Sequence, residues 1–340
     1  MTTSRALSTG QSQENIGGAV SPFVAGKNKI INGDFNIWQR GTSFSTPADG
    51  SYTADRFITY QNGTGPTRTI SQQAFTPGTA PVAGYESAYF FRYLCSNLGS
   101  GNSYQAIQNR VEDVRTFAGQ TATFSFWAKA DSAKTITVSI QQNFGSGGSS
   151  AVSVTYTAIT LSTSWARYSV TMSVPSISGQ TIGSSSFFQV GFELGSQTIT
   201  LDTWGWQLEA GSTATPFTTA TGTIQGELTL AQRYYVRYSI PGSYTDSIMG
   251  IQWDTGSARF VLYLPATMRA FPSVSQTNLA VSDIMTFNSS ITGFGTGTSG
   301  VIDYKYLHLY ATFSSVGAAW RAVFIRTEGS AGYFELNSEL

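Results

Sequence analysis

The sequence predicts an all-β protein, in which a sandwich of two antiparallel sheets is followed by a smaller β-sandwich carrying one short helix. Three observations lead there. Between Lys29 and Phe217 apolar and polar residues alternate repeatedly amid heavy Thr, Tyr, Phe and Val usage, the period of half-buried strands. Connections such as 145–150 are rich in Gly and Ser. Convincing helical spacing occurs in one place, near 226–238. Many short strands of this kind favour two packed sheets, with a jelly roll as the leading topology.

Taken in order, residues 1–28 are polar and small, with no apolar period, and read as an arm rather than a domain. The larger sandwich is expected over 29–222. In TATFSFWAKA (121–130), Phe124, Phe126, Ala128 and Ala130 share one face, which leaves Thr123, Ser125, Trp127 and Lys129 on the other. After a turn at 131–134, Ile136, Val138 and Ile140 define the next buried face with Gln141 opposite, and the two runs read as a hairpin. Ala166, Tyr168, Val170 and Met172 form one side of a further strand, and Phe188, Val190, Phe192 and Leu194 one side of another. TITLDTWGWQLE (198–209) is a long final strand in which Asp202, Trp204 and Trp206 fall on one face. The second domain, 223–340, opens with GELTLAQRYYVRY (226–238), where Leu228, Ala231, Tyr235 and Tyr238 recur at three- and four-residue steps. Ala258, Phe260, Leu262 and Leu264 then alternate with Arg259, Val261 and Tyr263, and further strands are expected at 304–313, 320–326 and 332–336.

Composition excludes several classes. Charged residues are 11% of the 340, against about 25% in an ordinary soluble domain, while 41% are hydrophobic, so a core is expected rather than charge-driven disorder. Nineteen Lys and Arg balance nineteen Asp and Glu with no basic run, which removes the counterion-displacing footprint of nucleic-acid binding. One Cys and one His assemble neither a disulfide nor the usual zinc sets, and Cys95, inside an apolar run, reads as a buried small hydrophobe. No stretch approaches the ~20 apolar residues of a membrane span. The N-terminus lacks the apolar region of a secretory signal, so the expectation is synthesis in a cytoplasm and release by a route such as lysis.

Five segments carry a resemblance: NGDFNIWQRG (32–41), TADRF (53–57), AGQTATFSFWAKA (118–130), WARYSVTM (165–172) and GWQLEAGSTATPF (205–217). In this order they resemble the jelly-roll modules of phage tail-fibre and other virion-surface proteins, which are similar to the carbohydrate-binding modules of secreted glycanases. ELTLAQRYYVRY (227–238) with PATMRAFPSV (265–274) resembles the C-terminal domain attached to such modules in phage fibres. The resemblance implies a virion-surface protein that works by adhesion or assembly without chemistry, as a homotrimer docked to other virion proteins through residues 1–28. Host-surface polysaccharide is the implied ligand, with neither nucleic acid nor membrane insertion. A head-decorating or collar protein, and a glycan depolymerase or glycanase-associated binding module, are the alternatives.

Glycan binding needs aromatic faces for the apolar side of a pyranose, flanked by amides and hydroxyls. Trp127 with Gln141 is the leading pair, because both fall off the core phase, and burial of Trp127 under a loop or against another subunit is the competing reading. Trp38, Gln39 and Arg40 come next, with a structural role at the end of the first strand equally open. The resemblance further allows a structural calcium near Asp34 and Asp202, and no other cofactor; such an ion takes six to eight oxygens. His308 in YLHLY has no serine elbow or cysteine partner and reads as structural. GTGTSG (295–300) matches a dinucleotide fingerprint without the strand and helix it needs, and reads as a loop. The glycosylation-like tripeptides at Asn62 and Asn288 are of a kind that chance supplies freely in a chain rich in Ser and Thr. The acidic residues are scattered, and no glycosidase pair stands out.

Overall fold

The computed structural model describes residues 25–82, 85–282, 288–296, 306–314, 322–327 and 329–340; the arm expected over 1–28 lies outside these residues up to residue 24. Two six-stranded sheets form the larger unit. The first runs β1 (Ser43–Ser45), β4 (Thr67–Ala74), β5 (Tyr89–Asn97), β12 (Ile199–Ala210), β7 (Thr121–Ala130), β10 (Ala166–Ser173). The second runs β2 (Ser51–Tyr52), β3 (Phe57–Gln61), β6 (Gln105–Glu112), β11 (Phe187–Glu193), β8 (Lys134–Asn143), β9 (Val152–Leu161). Every neighbouring pair is antiparallel, and the two inner faces enclose one core, as in a jelly-roll sandwich.

The alternation read from the sequence sets that core. Phe124, Phe126, Ala128 and Ala130 of β7 are buried in the same cluster as Ile136, Val138 and Ile140 of β8 and Phe188, Val190 and Phe192 of β11. Trp206 lies among them, its ring 4.4 Å from Phe192, 5.0 Å from Phe124 and 5.1 Å from Phe57, and its Nε1 donates to Thr203 Oγ1 at 2.8 Å. Cys95 is buried in this core as expected. Asn28 closes the sandwich where the chain enters it: its Nδ2 donates to the Trp206 and Thr218 carbonyls at 3.0 Å, and its Oδ1 accepts from Leu208 N.

Two local expectations are corrected. β7 and β8 are not a hairpin, because they lie in different sheets and residues 131–133 carry the chain across the sandwich. Both strands turn an apolar face to the same core, so alternation alone reads an arch between sheets and a hairpin within one identically. Trp204 and Trp206 do not share a face either. The register of β12 against β7 shifts between Trp204 and Gln207, and Gly205 takes φ +66° at this bulge, which sends Trp206 inward and leaves Trp204 outward. A Cβ at 205 would stand 2.7 Å from Trp127 Cε3.

A second unit begins at Leu228, and Gln39–Gly41 counts with it. The helix α1 (Ile224–Gln232) stops before Tyr235, which starts the strand β13 (Tyr235–Ile240). YYVRYSI satisfies two periods at once, and the period-two set Val236, Tyr238 and Ile240 prevails because it packs into the smaller core. β13 joins β21 (Gly332–Asn337) and β16 (Ser273–Thr277) in a three-stranded sheet. The remaining strands depart from the expected two-sheet sandwich by closing into a barrel, ordered β14 (Asp246–Asp254), β15 (Ser257–Tyr263), β19 (Tyr306–Phe313), β18 (Asn288–Thr296), β17 (Leu279–Ser282), β20 (Ala322–Thr327). Closure removes the free strand edges that two small sheets would leave. His308 pairs with Val261 in the ladder of β15 and β19, and residues 297–300 of the Gly-rich match lie outside the described residues.

Candidate functional site

Trp127 is out of phase with the main core, as its position in β7 requires, yet it is only 8% exposed. It belongs to a second aromatic cluster on the outer side of the first sheet, with Phe75, Phe90, Trp204 and Phe217. Its ring centroid is 5.3 Å from that of Trp204, and the Arg167 guanidinium lies 4.7 Å over it. Gln141 stands on the second sheet, so the expected pairing of Trp127 with Gln141 on a neighbouring strand does not exist.

The other candidates are also engaged. Trp38 is buried in the main core, stacked 5.7 Å from Phe91, with Nε1 donating to the Phe35 carbonyl. Gln39 donates to the Tyr235 carbonyl at 2.9 Å, and Arg40 lies 3.5 Å over the Tyr235 ring while pairing with Glu339 at 3.1 Å. These contacts hold the chain in place and leave no flat aromatic face for a sugar.

Asp34 and Asp202 do not fit a shared calcium site. Both Asp202 oxygens face cations, with Arg92 at 2.6 and 2.8 Å and Lys129 at 3.6 Å. Asp34 Oδ2 accepts from Asn36 at 2.6 Å, its Oδ1 has no hydrogen-bond partner among the described residues, and burial pushes its pKa up. Calcium takes six to eight oxygens, carboxylates and carbonyls among them, and no cluster of three or more acidic, His or Cys side chains converges among the described residues.

The outer face of the second sheet offers different chemistry. Ile107, Asn109 and Val111 of β6 and Val190 and Phe192 of β11 turn inward, so Gln108, Arg110, Gln189, Gly191 and Glu193 turn outward. Register places Arg110 opposite Gln189, and Gln189 opposite Gln141, in one row across three strands. Arg110 Nε donates to Gln189 Oε1 at 3.2 Å and its Nη2 to the Tyr60 hydroxyl at 2.7 Å. Its guanidinium lies 4.5 Å over the Phe187 ring. Gln108 Nε2 donates to the Tyr104 hydroxyl at 2.9 Å, and Tyr104 stands 6.5 Å from Tyr60 at 51°. Burial, then the charge of Glu193, pushes the Tyr104 phenol up to about 12, so it stays a neutral donor at physiological pH. Gln141 finishes the row, donating to Ser153 Oγ at 3.1 Å.

This sheet face joins two tyrosine rings, one guanidinium, the Gln141 amide and one carboxylate, all half-buried, while Gln108 and Gln189, at 6% and 7% exposed, lie beneath them as their hydrogen-bond supports. It can present ring faces and directed donors and acceptors together, which is what a polyhydroxylated ligand requires. Gln141 is the one expected residue that lies within it. Gln189 and Glu193 alternate with Phe188, Val190 and Phe192, and Gln108 and Arg110 with Ile107, Asn109 and Val111, so strand parity marks all four as outward; their convergence with Tyr60 and Tyr104 depends on sheet order.

Residues 93–188 match the family model of a carbohydrate binding domain. That segment contains β6 and β8 whole and ends within β11. No curated protein matches the chain. Among solved structures, similarity extends to a tailspike protein of bacteriophage CBA120, described as its enzymatically active domain, at 17% identity and a TM-score of 0.36, covering 56% of this chain and 22% of that one. The match therefore spans under a quarter of that solved chain's length. A family 11 carbohydrate-binding module from Clostridium thermocellum is 12% identical with a TM-score of 0.33, covering 51% and 98%, and a cyclase from Fischerella is 11% identical with a TM-score of 0.37, covering 55% and 98%.

Proposed function

We propose that the chain is a glycan-binding structural protein of a tailed phage, a tail-fibre subunit that attaches the particle to host-surface polysaccharide through the outer face of its second sheet. The supporting observation is the row Arg110, Gln189 and Gln141 beside Tyr60 and Tyr104, on strands within or bordering the segment that matches the carbohydrate binding domain. The virion assignment draws on the resemblance of residues 32–217 and 227–274 to phage-fibre modules. The protein sits at the virion surface, residues 1–28 dock it to other virion proteins, and it acts by binding rather than by chemistry.

Single sugar contacts are weak, so attachment depends on multiplicity. A homotrimer repeated over many fibres raises the effective concentration of sites and converts modest affinity into firm adhesion.

The test is retention of the full chain on a panel of immobilised bacterial surface polysaccharides, with assay of the eluate for new reducing ends. Retention without cleavage supports the reading. No retention on any polysaccharide overturns the adhesive role, and new reducing ends replace it with that of a depolymerase.

A further inference from the structure

Alternation along the barrel strands places Phe260, Leu262, Leu309 and Val323 in the smaller core, which turns their neighbours outward. Those neighbours are unusually apolar. Met249 is 66% exposed, Ile251 52%, Trp253 44%, Val261 47%, Tyr263 71% and Tyr310 41%. They are contiguous: Ile251 is registered with Arg259, and Arg259 with Tyr310, while Met249 is registered with Phe324 on the other side. Arg259, in the middle of the row, lies 3.8 Å over the Trp253 ring and extends a flat surface. The paired charges Asp246 and Arg326, 3.5 Å apart, sit at one end.

We propose that this outer face of β14, β15, β19 and β20 is the surface through which the chain packs against further copies of itself, with the faces of neighbouring copies turned to a common axis. This rests on the self-association proposed above and names the surface that makes it. Area argues for the occupant. Side chains of these sizes at these exposures present on the order of 700 Å², near the ~800 Å² per partner of a stable protein interface and above the few hundred Å² that a monomer usually leaves open. Chemistry argues the same way. The centre, Met249, Ile251 and Val261, offers no donor or acceptor to a sugar, whereas an apolar centre with aromatic and Arg neighbours and a charged rim is the composition of protein interfaces. A neutral chain also brings no long-range repulsion to its own copies.

The experiment is sedimentation of the full chain at micromolar concentration, beside the double variant Ile251→Asp, Val261→Asp. Wild type is expected to be oligomeric and the variant to dissociate, with self-affinity weaker by at least roughly 30-fold. Tyr263→Cys supplies a readout that needs no unfolding-prone substitution: the native Cys95 is buried, so a thiol-reactive crosslinker should join copies through position 263. The proposal is overturned by a monomeric wild type, by an oligomer that the double variant leaves intact while Tyr263→Cys gives no crosslinked species, or by dissociation on removing residues 1–24 but not on changing the face. Loss of polysaccharide retention by the double variant at unchanged mass would assign the face to glycan instead. Failure of glycan binding in the wild type overturns the adhesive role and leaves this result standing on its own.

Discussion

The Arg110 guanidinium lies 4.5 Å over the Phe187 ring, so the one cation in the row Arg110, Gln189 and Gln141 is held over an aromatic side chain of the neighbouring strand. Its bonds to Tyr60 and Gln189 fix two more side chains by the same contact. Arg110→Met keeps an apolar stem over Phe187 but releases both partners. Polysaccharide affinity should fall by about tenfold, the cost of roughly one charge-assisted hydrogen bond, while the thermal midpoint moves little. Titration calorimetry and a melting curve on the same sample check both halves.

Trp127 gives the opposite pattern. It is enclosed by Trp204, Phe217 and Arg167, so Trp127→Ala should cost about 3–5 kcal/mol of stability. Chemical denaturation measures this; a loss within half a kcal/mol would restore Trp127 as an exposed surface residue.

Gly205 tests the bulge that separates Trp204 from Trp206. Gly205→Ala demands a left-handed φ of a residue with a Cβ and drives that atom against Trp127, which should destabilise by about 1–3 kcal/mol. Gly211→Ala, also at positive φ but with open space around it, should cost less, and equal effects would show that sterics at Trp127 play no part.

Two carboxylates should shape the pH dependence in opposite senses. Burial raises the Asp34 pKa, so its folded form holds a proton that the unfolded chain releases, and stability from this group is lost as pH rises through the raised value. Asp34→Asn should therefore gain on wild type as pH rises above the ordinary carboxylate range. Burial also acts on Glu209, but hydrogen bonds from Thr215 and Gln207 and the nearby Lys27 outweigh it and hold its pKa down. Glu209→Gln should cost stability at pH 7 and lose that effect as pH falls through the carboxylate range. Melting curves of both variants at several pH values decide; two parallel profiles would contradict the assignment.

Strand parity made much of the fold legible. Phe124, Phe126, Phe188 and Phe192 face the core that their alternation predicts, and Trp127 faces away from it. What parity does not carry is sheet membership: it reads Trp127 and Gln141 as neighbours although they stand on different sheets. Nor does it reveal the bulge at Gly205, since one residue out of register reverses every later side chain. The row on the outer face of the second sheet is hidden from the sequence for the same reason. Arg110, Gln189 and Gln141 come from strands far apart in sequence, and only the order β6, β11, β8 brings them together.

The most direct measurement is calorimetric titration of a retained polysaccharide into the full chain and into the variant Tyr104→Ala, Gln189→Ala. The outer face of the second sheet as the binding surface predicts saturable binding by wild type, at least about tenfold weaker binding by the variant, and the same melting midpoint within a few degrees. Equal affinity of the two proteins would contradict it.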